Sequence, residues 1–176
     1  MIIGLSGYAQ SGKDTVAELL CLNYGYTRLS FAQPMRDAIY TLNPMVEGGN
    51  RVADLVDEYG WDIAKANPEV RRLLQVFGTE VGRKQFGDNF WVQQAFDKIE
   101  GTKIVFSDVR FPNEAHEIQQ YGGQVWRINR HNHAPVNTHK SEHAMNDFMF
   151  KHVIYNDGTL NDLFADCEML AKQLGL

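Results

Sequence analysis

The chain has 176 residues, a length that suits one domain with a single sizeable core. A hydrophobic share of 44% and a charged share of 22% are ordinary for a soluble globular protein. The net charge of −5 argues against a general binder of nucleic acid or of anionic membranes, both of which need a basic surface.

The apolar run Met1–Ser6 (MIIGLS) reads as a buried strand at about 2–6. It starts at Met1, so no signal peptide is expected, no apolar run is long enough to span a bilayer, and a cytoplasmic protein is expected. Residues Gly7-Tyr8-Ala9-Gln10-Ser11-Gly12-Lys13 follow at once and fit the phosphate-binding loop G-x-x-x-x-G-K. A helix is expected over 13–24, where Val16, Ala17, Leu19, Leu20 and Leu22 give an apolar pattern that stops at Gly25. This order of strand, loop and helix is what the chemistry needs. Glycines let backbone N–H groups turn toward a polyphosphate, the helix adds its positive N-terminal end, and Lys13 reaches the β- and γ-phosphates. The loop therefore points to a nucleoside triphosphate. One position departs from the pattern: the residue after the lysine is Asp14, with Thr15 next, where a Ser or Thr hydroxyl usually meets Mg²⁺. A carboxylate is also a hard oxygen donor, and the sequence leaves open whether Asp14 or Thr15 touches the metal.

A second strand is expected at 27–31, followed by helices at about 33–42, 51–59, 68–86 and 89–99. That helical block, about 33–99, reads as an insertion over the carboxyl edge of the sheet, where open α/β sheets bind ligands. On the helix 68–86, Val70, Leu73, Leu74, Phe77 and Val81 form the core stripe. At 100° per residue, Arg71, Gln75, Gly78 and Gly82 line a second stripe that a small polar ligand can approach, while Arg72, Thr79 and Arg83 point to the other side. Phe86, Phe90, Trp91 and Phe96 read as core, with Trp91 as the member that can stack on a nucleobase.

A strand at 103–107 runs into Asp108 and Arg110. Beside a phosphate loop, an acid at such a strand end positions Mg²⁺, and an arginine two residues on can clamp a phosphate. A helix at 112–121 and a strand at 124–129 follow. The polar stretch Arg127–Ser141 then fits a lid, at about 130–141, that brings Arg130 or Lys140 onto the transferring phosphate. His131, His133, His139 and His143 fall in or near it but lack the spacing and partner ligands of a zinc site. The chain closes with a helix at 141–149, a strand at 152–156 and a helix at 159–174. In the last helix Leu160, Leu163, Phe164, Cys167, Leu170, Ala171 and Leu174 follow the i, i+3, i+4, i+7 stripe, and Thr159 with Asp162 resembles a capping box. Cys21 and Cys167 sit in apolar helical patterns and read as buried free thiols. Strands alternating with helices indicate a parallel α/β sheet.

With these residues in view, the chain resembles deoxynucleoside monophosphate kinases of the bacteriophage type. The resemblance rests on Ser6-Gly7 through Gln10-Ser11-Gly12-Lys13-Asp14-Thr15, on Ser30-Phe31-Ala32 with Arg36, and on Arg71, Leu74-Gln75, Gly78-Thr79-Glu80 and Arg83. It continues through Phe90-Trp91-Val92, Asp108 to Glu114, His139 with Ser141-Glu142, and Asn156 to Thr159. It implies a three-layer P-loop kinase fold, with a five-stranded parallel sheet and helices on both faces, as a single domain. It implies ATP- and Mg²⁺-dependent phosphorylation of deoxynucleoside monophosphates to diphosphates. Gln10, Ser11, Gly12, Lys13, Asp14 and Thr15 would then hold ATP phosphates, with Asp14, Thr15 and Asp108 toward the metal. Phe31, Arg36, Arg71, Gln75 and Arg110 would contact the monophosphate, and Lys13, Arg110 and Arg130 would carry the transfer. Ala9 stands where some relatives have a lysine.

Two other readings remain open at this point. A P-loop kinase of another small acceptor, such as dephospho-coenzyme A, would share fold and loop. A regulatory ATPase that moves a partner is disfavoured by a chain with no added domain to move. Which bases are accepted is not readable, and a homodimer is left open.

Overall fold

The computed structural model describes residues 1–131 and 143–176. Two compact units divide the chain: Met1–Phe31 with Ile99–Leu176, and Ala32–Lys98.

The first unit is built on five parallel strands: β1 (Ile2–Ser6), β2 (Thr27–Leu29), β3 (Ile104–Val109), β4 (Gln124–Asn129) and β5 (His152–Tyr155). Their order across the sheet is β2-β3-β1-β4-β5. The apolar sequence of β1 follows from its central place, since all its residues are buried. On one face of the sheet, Ile3, Leu5, Trp126, Ile128 and Ile154 pack against Val16, Ala17 and Leu20 of α1 (Lys13–Tyr24). Leu163, Cys167 and Leu170 of the C-terminal helix Leu160–Gln173 complete that core. On the other face lies the helix Pro112–Gln120. It comes so close that a Cβ built on Gly4 of β1 would stand 2.5 Å from the Ile118 Cδ1.

The register carries the functional geometry. Ser6 pairs with Val109 of β3 and with Arg127 of β4, so the carboxyl ends of these three strands finish side by side. β2 stops at Leu29 rather than at 31, releasing Ser30 and Phe31 into the turn that follows. β3 runs to Val109, two residues past the expected 107, and carries Asp108 within the strand.

The second unit is helical: α2 (Gln33–Leu42), α3 (Val52–Ala64), α4 (Pro68–Val76), a π-helical segment Phe77–Arg83, α5 (Lys84–Phe86) and α6 (Phe90–Phe96). In chain order the helices Pro112–Gln120 and Leu160–Gln173 are therefore α7 and α8. Ile39, Val46, Val52, Val70 and Leu74 form the core of this unit, with Met35, Leu55 and Phe77 packed on it. Pro68 at the start of α4 is preceded by Asn67, whose side chain accepts from the Glu69 N–H at 2.9 Å, an ordinary N-cap. Gly60, with φ of 75°, interrupts α3 where the sequence had its helix end at 59.

Three expectations for this unit need correction. The span 68–86 is not one α-helix: Lys84 N–H reaches back five residues to Thr79 O, the i→i+5 bond of a π turn. The wider turn breaks the 100° rule beyond residue 76, so Gly78 and Gly82 do not continue the Arg71–Gln75 stripe as an open face. Instead they make room for neighbours. A Cβ on Gly78 would fall 2.7 Å from the Met35 Sδ, and one on Gly82 would fall inside the Trp91 indole. Finally, Phe86 is 64% exposed and lies on the surface against Phe90, not in the core.

The helix expected at 141–149 begins outside the described residues, and 144–147 form turns. No helix among the described residues is long and apolar enough to cross a membrane.

Candidate active site

The loop between β1 and α1 has the backbone that the glycine spacing calls for. Gly7, Gln10 and Gly12 all have positive φ, at 149°, 61° and 103°. A side chain at Gly7 would run into the Ile128 carbonyl, and one at Gly12 would meet the Asn156 Nδ2 at 2.5 Å. Glycine is thus required twice, by conformation and by space. Asn156, just past β5, donates to the Ser11 carbonyl at 3.0 Å and ties the loop to the sheet. Lys13 is buried, and its ammonium donates to the Tyr8 carbonyl at 2.6 Å, across the mouth of the loop. Ser11 Oγ is buried with no hydrogen-bond partner among the described residues. A buried hydroxyl without a partner costs free energy, and here it sits within the loop, beside Gly7. At the N-terminus of α1, Gly12 offers no side-chain cap. An unmatched hydroxyl, a lysine held on a loop carbonyl and an uncapped helix end together suit a polyphosphate.

Beside the loop, Asp108 does work that its position alone did not disclose. One carboxylate oxygen accepts from Ser30 Oγ at 2.6 Å and the other from the Phe31 N–H at 2.8 Å. Asp108 therefore fixes the turn after β2, which explains why Ser30 and Phe31 leave the strand. The Phe31 ring is buried and stacks on Phe106, with centroids 4.4 Å apart and planes at 12°. Asp14 is exposed and ion-paired with Arg28, whose Nε also donates to Ser107 Oγ at 2.9 Å. Thr15 is half-buried on α1. Arg110 is exposed after β3, its backbone N–H held by Glu114 Oε2 at 2.7 Å. The same oxygen accepts from the Phe111 N–H at 3.0 Å, so the buried Glu114 sets the direction in which the chain leaves β3.

At the end of β4, Arg130 is exposed on the wall of a cavity of about 510 Å³ that also meets Tyr8 and Ser11. The next residue, His131, donates its backbone N–H to Asp157 Oδ1 at 2.6 Å, and its ring pairs with the other oxygen. The His131 backbone donor, followed by the ring, holds the Asp157 carboxyl below its ordinary range. Most of the lid expected at 130–141, with His133, His139 and Lys140, lies outside the described residues. Among the described residues there is no cluster of three His, Cys, Asp or Glu side chains able to hold a metal.

Lys13, Asp14, Thr15, Phe31, Asp108, Arg110 and Arg130 thus belong to the sheet unit, and all but Phe31 lie at its loop or at strand ends. Arg36, Arg71, Gln75 and Trp91 belong to the helical unit. There, the Arg36 guanidinium lies 6.0 Å from the Trp61 ring centroid. Arg71 and Gln75 are exposed on α4, while Arg72 pairs with Glu69 at 3.7 Å. Trp91 is a packing residue rather than an open stacking face. It is 7% exposed, its indole covers Gly82, and its Nε1 donates to the Gly78 carbonyl at 2.9 Å. Sequence reasoning passed over Arg127, a buried guanidinium in the strand Gln124–Asn129; its signal was a charge inside the run Val-Trp-Arg-Ile.

The family model for deoxynucleotide monophosphate kinase matches residues 51–167. A protein of Acanthamoeba polyphaga mimivirus, provisionally named a deoxynucleotide monophosphate kinase, is 30% identical over 190 residues, covering 94% of this chain and 93% of the relative. The deoxynucleoside-5'-monophosphate kinase of Escherichia phage T5 is 26% identical over 187 residues, covering 68% and 72%. Among solved structures, dephospho-CoA kinase from Campylobacter jejuni aligns with a TM-score of 0.49 at 14% identity, over 98% and 96% of the two chains. Shikimate kinase from Bacteroides thetaiotaomicron aligns at 0.46 and 14%, over 100% and 99%. The family match over two thirds of the sequence, with a relative alike along nearly its whole length, means that this chain belongs to the deoxynucleotide monophosphate kinase family.

Proposed function

We propose that this protein transfers the γ-phosphoryl group of ATP to the phosphate of a deoxynucleoside monophosphate. An oxygen of the acceptor phosphate bonds to the γ-phosphorus, the bond from that phosphorus to the β-bridging oxygen breaks, and ADP leaves with the electron pair. The observation that carries the reading is the cradle at Gly7–Lys13, with its buried unpartnered Ser11 hydroxyl and the Lys13 ammonium poised on a loop carbonyl. Because the acceptor is already an oxyanion, no general base is required, and cations and N–H donors are what the site must supply. Lys13 holds charge against the β- and γ-phosphates, and the α1 N-terminus adds its donors. Arg110 and Arg130, exposed at the ends of β3 and β4, serve as phosphate clamps.

The donor set fits a magnesium ion that arrives with the nucleotide better than one caged by protein. Asp14 offers one exposed carboxylate beside Thr15, whereas both oxygens of Asp108 already hold the Ser30–Phe31 turn. When bound, Mg²⁺ offsets the charge of the β- and γ-phosphates. In the helical unit Arg36, Arg71 and Gln75 are the groups proposed for the monophosphate; in the sheet unit Phe31 is fixed by Asp108 and Phe106.

A coupled assay of ADP release across all deoxy- and ribonucleoside monophosphates tests this. ADP release should rise well above the rate without acceptor for at least one deoxynucleoside monophosphate. A rate no higher with any monophosphate than with none would overturn the proposal.

A further inference from the structure

We infer that Arg127 binds the acceptor phosphate, a role that rests on the kinase reading above. Arg127 is 8% exposed in β4, in register with Ser6 at the foot of the phosphate loop. Its Nε donates to Asn129 Oδ1 at 3.0 Å, and it makes no ion pair with a carboxylate among the described residues. Two rings hold the guanidinium instead: Cζ lies 4.8 Å from the Tyr8 centroid and 5.4 Å from that of Phe150. The Tyr8 ring is fixed in turn by its hydroxyl, which donates to Asn146 Oδ1 at 2.9 Å.

A largely buried guanidinium with no carboxylate partner among the described residues loses part of its water, and ring faces repay only part of that loss. Buried charges are ordinarily paired. Although the chain has a net charge of −5, no carboxylate among the described residues pairs with this one. Arg127 borders a narrow cleft formed by Gly7, Tyr8 and Ala9 on one side and Val109 and Arg110 on the other, and it also lines the cavity of about 510 Å³ that meets Ser11 and Arg130. Ala9 puts only a methyl group into this cleft, so two arginines, 110 and 127, supply its charge. Planar guanidinium groups bind phosphate through paired N–H donors. Asn129 and the two rings fix the plane of Arg127 before any ligand arrives, which suits recognition of an anion of defined geometry. Across the cleft Arg110 stands at the end of β3, the neighbour in the sheet of β2 and its Phe31 turn, and this favours the acceptor over ATP.

The test compares binding of a deoxynucleoside monophosphate with binding of the same deoxynucleoside lacking its phosphate, by calorimetry on wild type and Arg127→Gln. The variant should lose about ten- to hundred-fold in monophosphate affinity, as expected for a lost charged hydrogen-bond partner, while nucleoside affinity and the KM for ATP stay within two-fold. A folded variant with wild-type monophosphate affinity overturns the inference, as does one that loses only ATP. If the wild-type protein itself binds no monophosphate, the kinase reading fails, and the role of Arg127 fails with it. A second measurement needs no variant: the Arg127 Nε–H resonance of the wild-type protein should shift on adding the monophosphate but not the nucleoside. A resonance that stays still at saturation overturns the inference even if Arg127→Gln fails to fold.

Discussion

At single residues, the site sorts by what each charge already touches. Lys13 is buried with its ammonium on the Tyr8 carbonyl, so removing it deletes charge from the loop without opening the sheet core. Lys13→Ala should retain the fold by circular dichroism and fall below a tenth of the wild-type kcat, more than about 1.4 kcal/mol of barrier. Asp14 already has a partner in Arg28, but both side chains are largely solvated, at 78% and 43% exposure. Such surface pairs are worth about 0–1 kcal/mol, too little to withhold Asp14 from a divalent ion. Asp14→Asn should therefore weaken the Mg²⁺ dependence of ATP-analogue binding, and an unchanged Mg²⁺ titration would separate Asp14 from the metal. On α4 the two arginines differ in the same way. Arg72 is paired with Glu69, whereas Arg71 is exposed and makes no ion pair among the described residues. Arg71→Ala should raise KM for the monophosphate roughly ten- to hundred-fold and leave KM for ATP alone, with Arg72→Ala nearly silent. The reverse pattern would reassign the substrate face of this helix.

Among the elements, β1, the phosphate loop and α1 could be read from residues, because an apolar run, a glycine spacing and a 3.6-residue pattern each have one solution. α8 could be read for the same reason: its Thr159 hydroxyl accepts from the Asp162 N–H while the Asp162 carboxylate accepts from the Thr159 N–H. What could not be read depends on contacts distant in sequence. Periodicity fixes which residues lie on one face of β4, but not that Tyr8 and Phe150 close over Arg127 there. Nothing in the strand of Asp108 announces that Ser30 and Phe31 will each bond one of its oxygens, so its hold on the turn after β2 was not legible beside its expected place toward the metal. The π segment is the clearest case. Its i→i+5 bond follows from fitting Trp91 into the gap at Gly82, which lies nine residues earlier in the chain. Gly82→Ala should thus act through packing: the new methyl must displace the indole, and overpacking of this kind costs about 1–3 kcal/mol. A fall of roughly 2–12 °C in Tm is expected. An unchanged Tm would mean that the indole relaxes freely and that the glycine is not what shapes the turn.

For the molecule as a whole, the sheet order β2-β3-β1-β4-β5 joins the two ends of the chain in one core. Ile3 of the first strand and Cys167 of the last helix share the same buried cluster. Cys167 is fully buried, and burial pushes its thiol up to about 12. At pH 8 its thiolate fraction in the native protein is then on the order of one in ten thousand, against roughly a quarter for an unfolded cysteine near 8.5. Between those two values the native state binds more protons than the unfolded state, so stability falls as pH rises from about 8.5 toward 12. Thiol labelling should expose both effects. Cys21, only partly buried, should react first, while Cys167 should react at a rate set by the opening of the whole sheet unit. That rate should rise with denaturant in proportion to the unfolded fraction measured by circular dichroism. Cys167→Ala should flatten the alkaline loss of stability while lowering stability at neutral pH through the cavity it leaves. Labelling of Cys167 at the Cys21 rate in the native protein would show that the first strand and last helix separate without global unfolding, contrary to the single core they share.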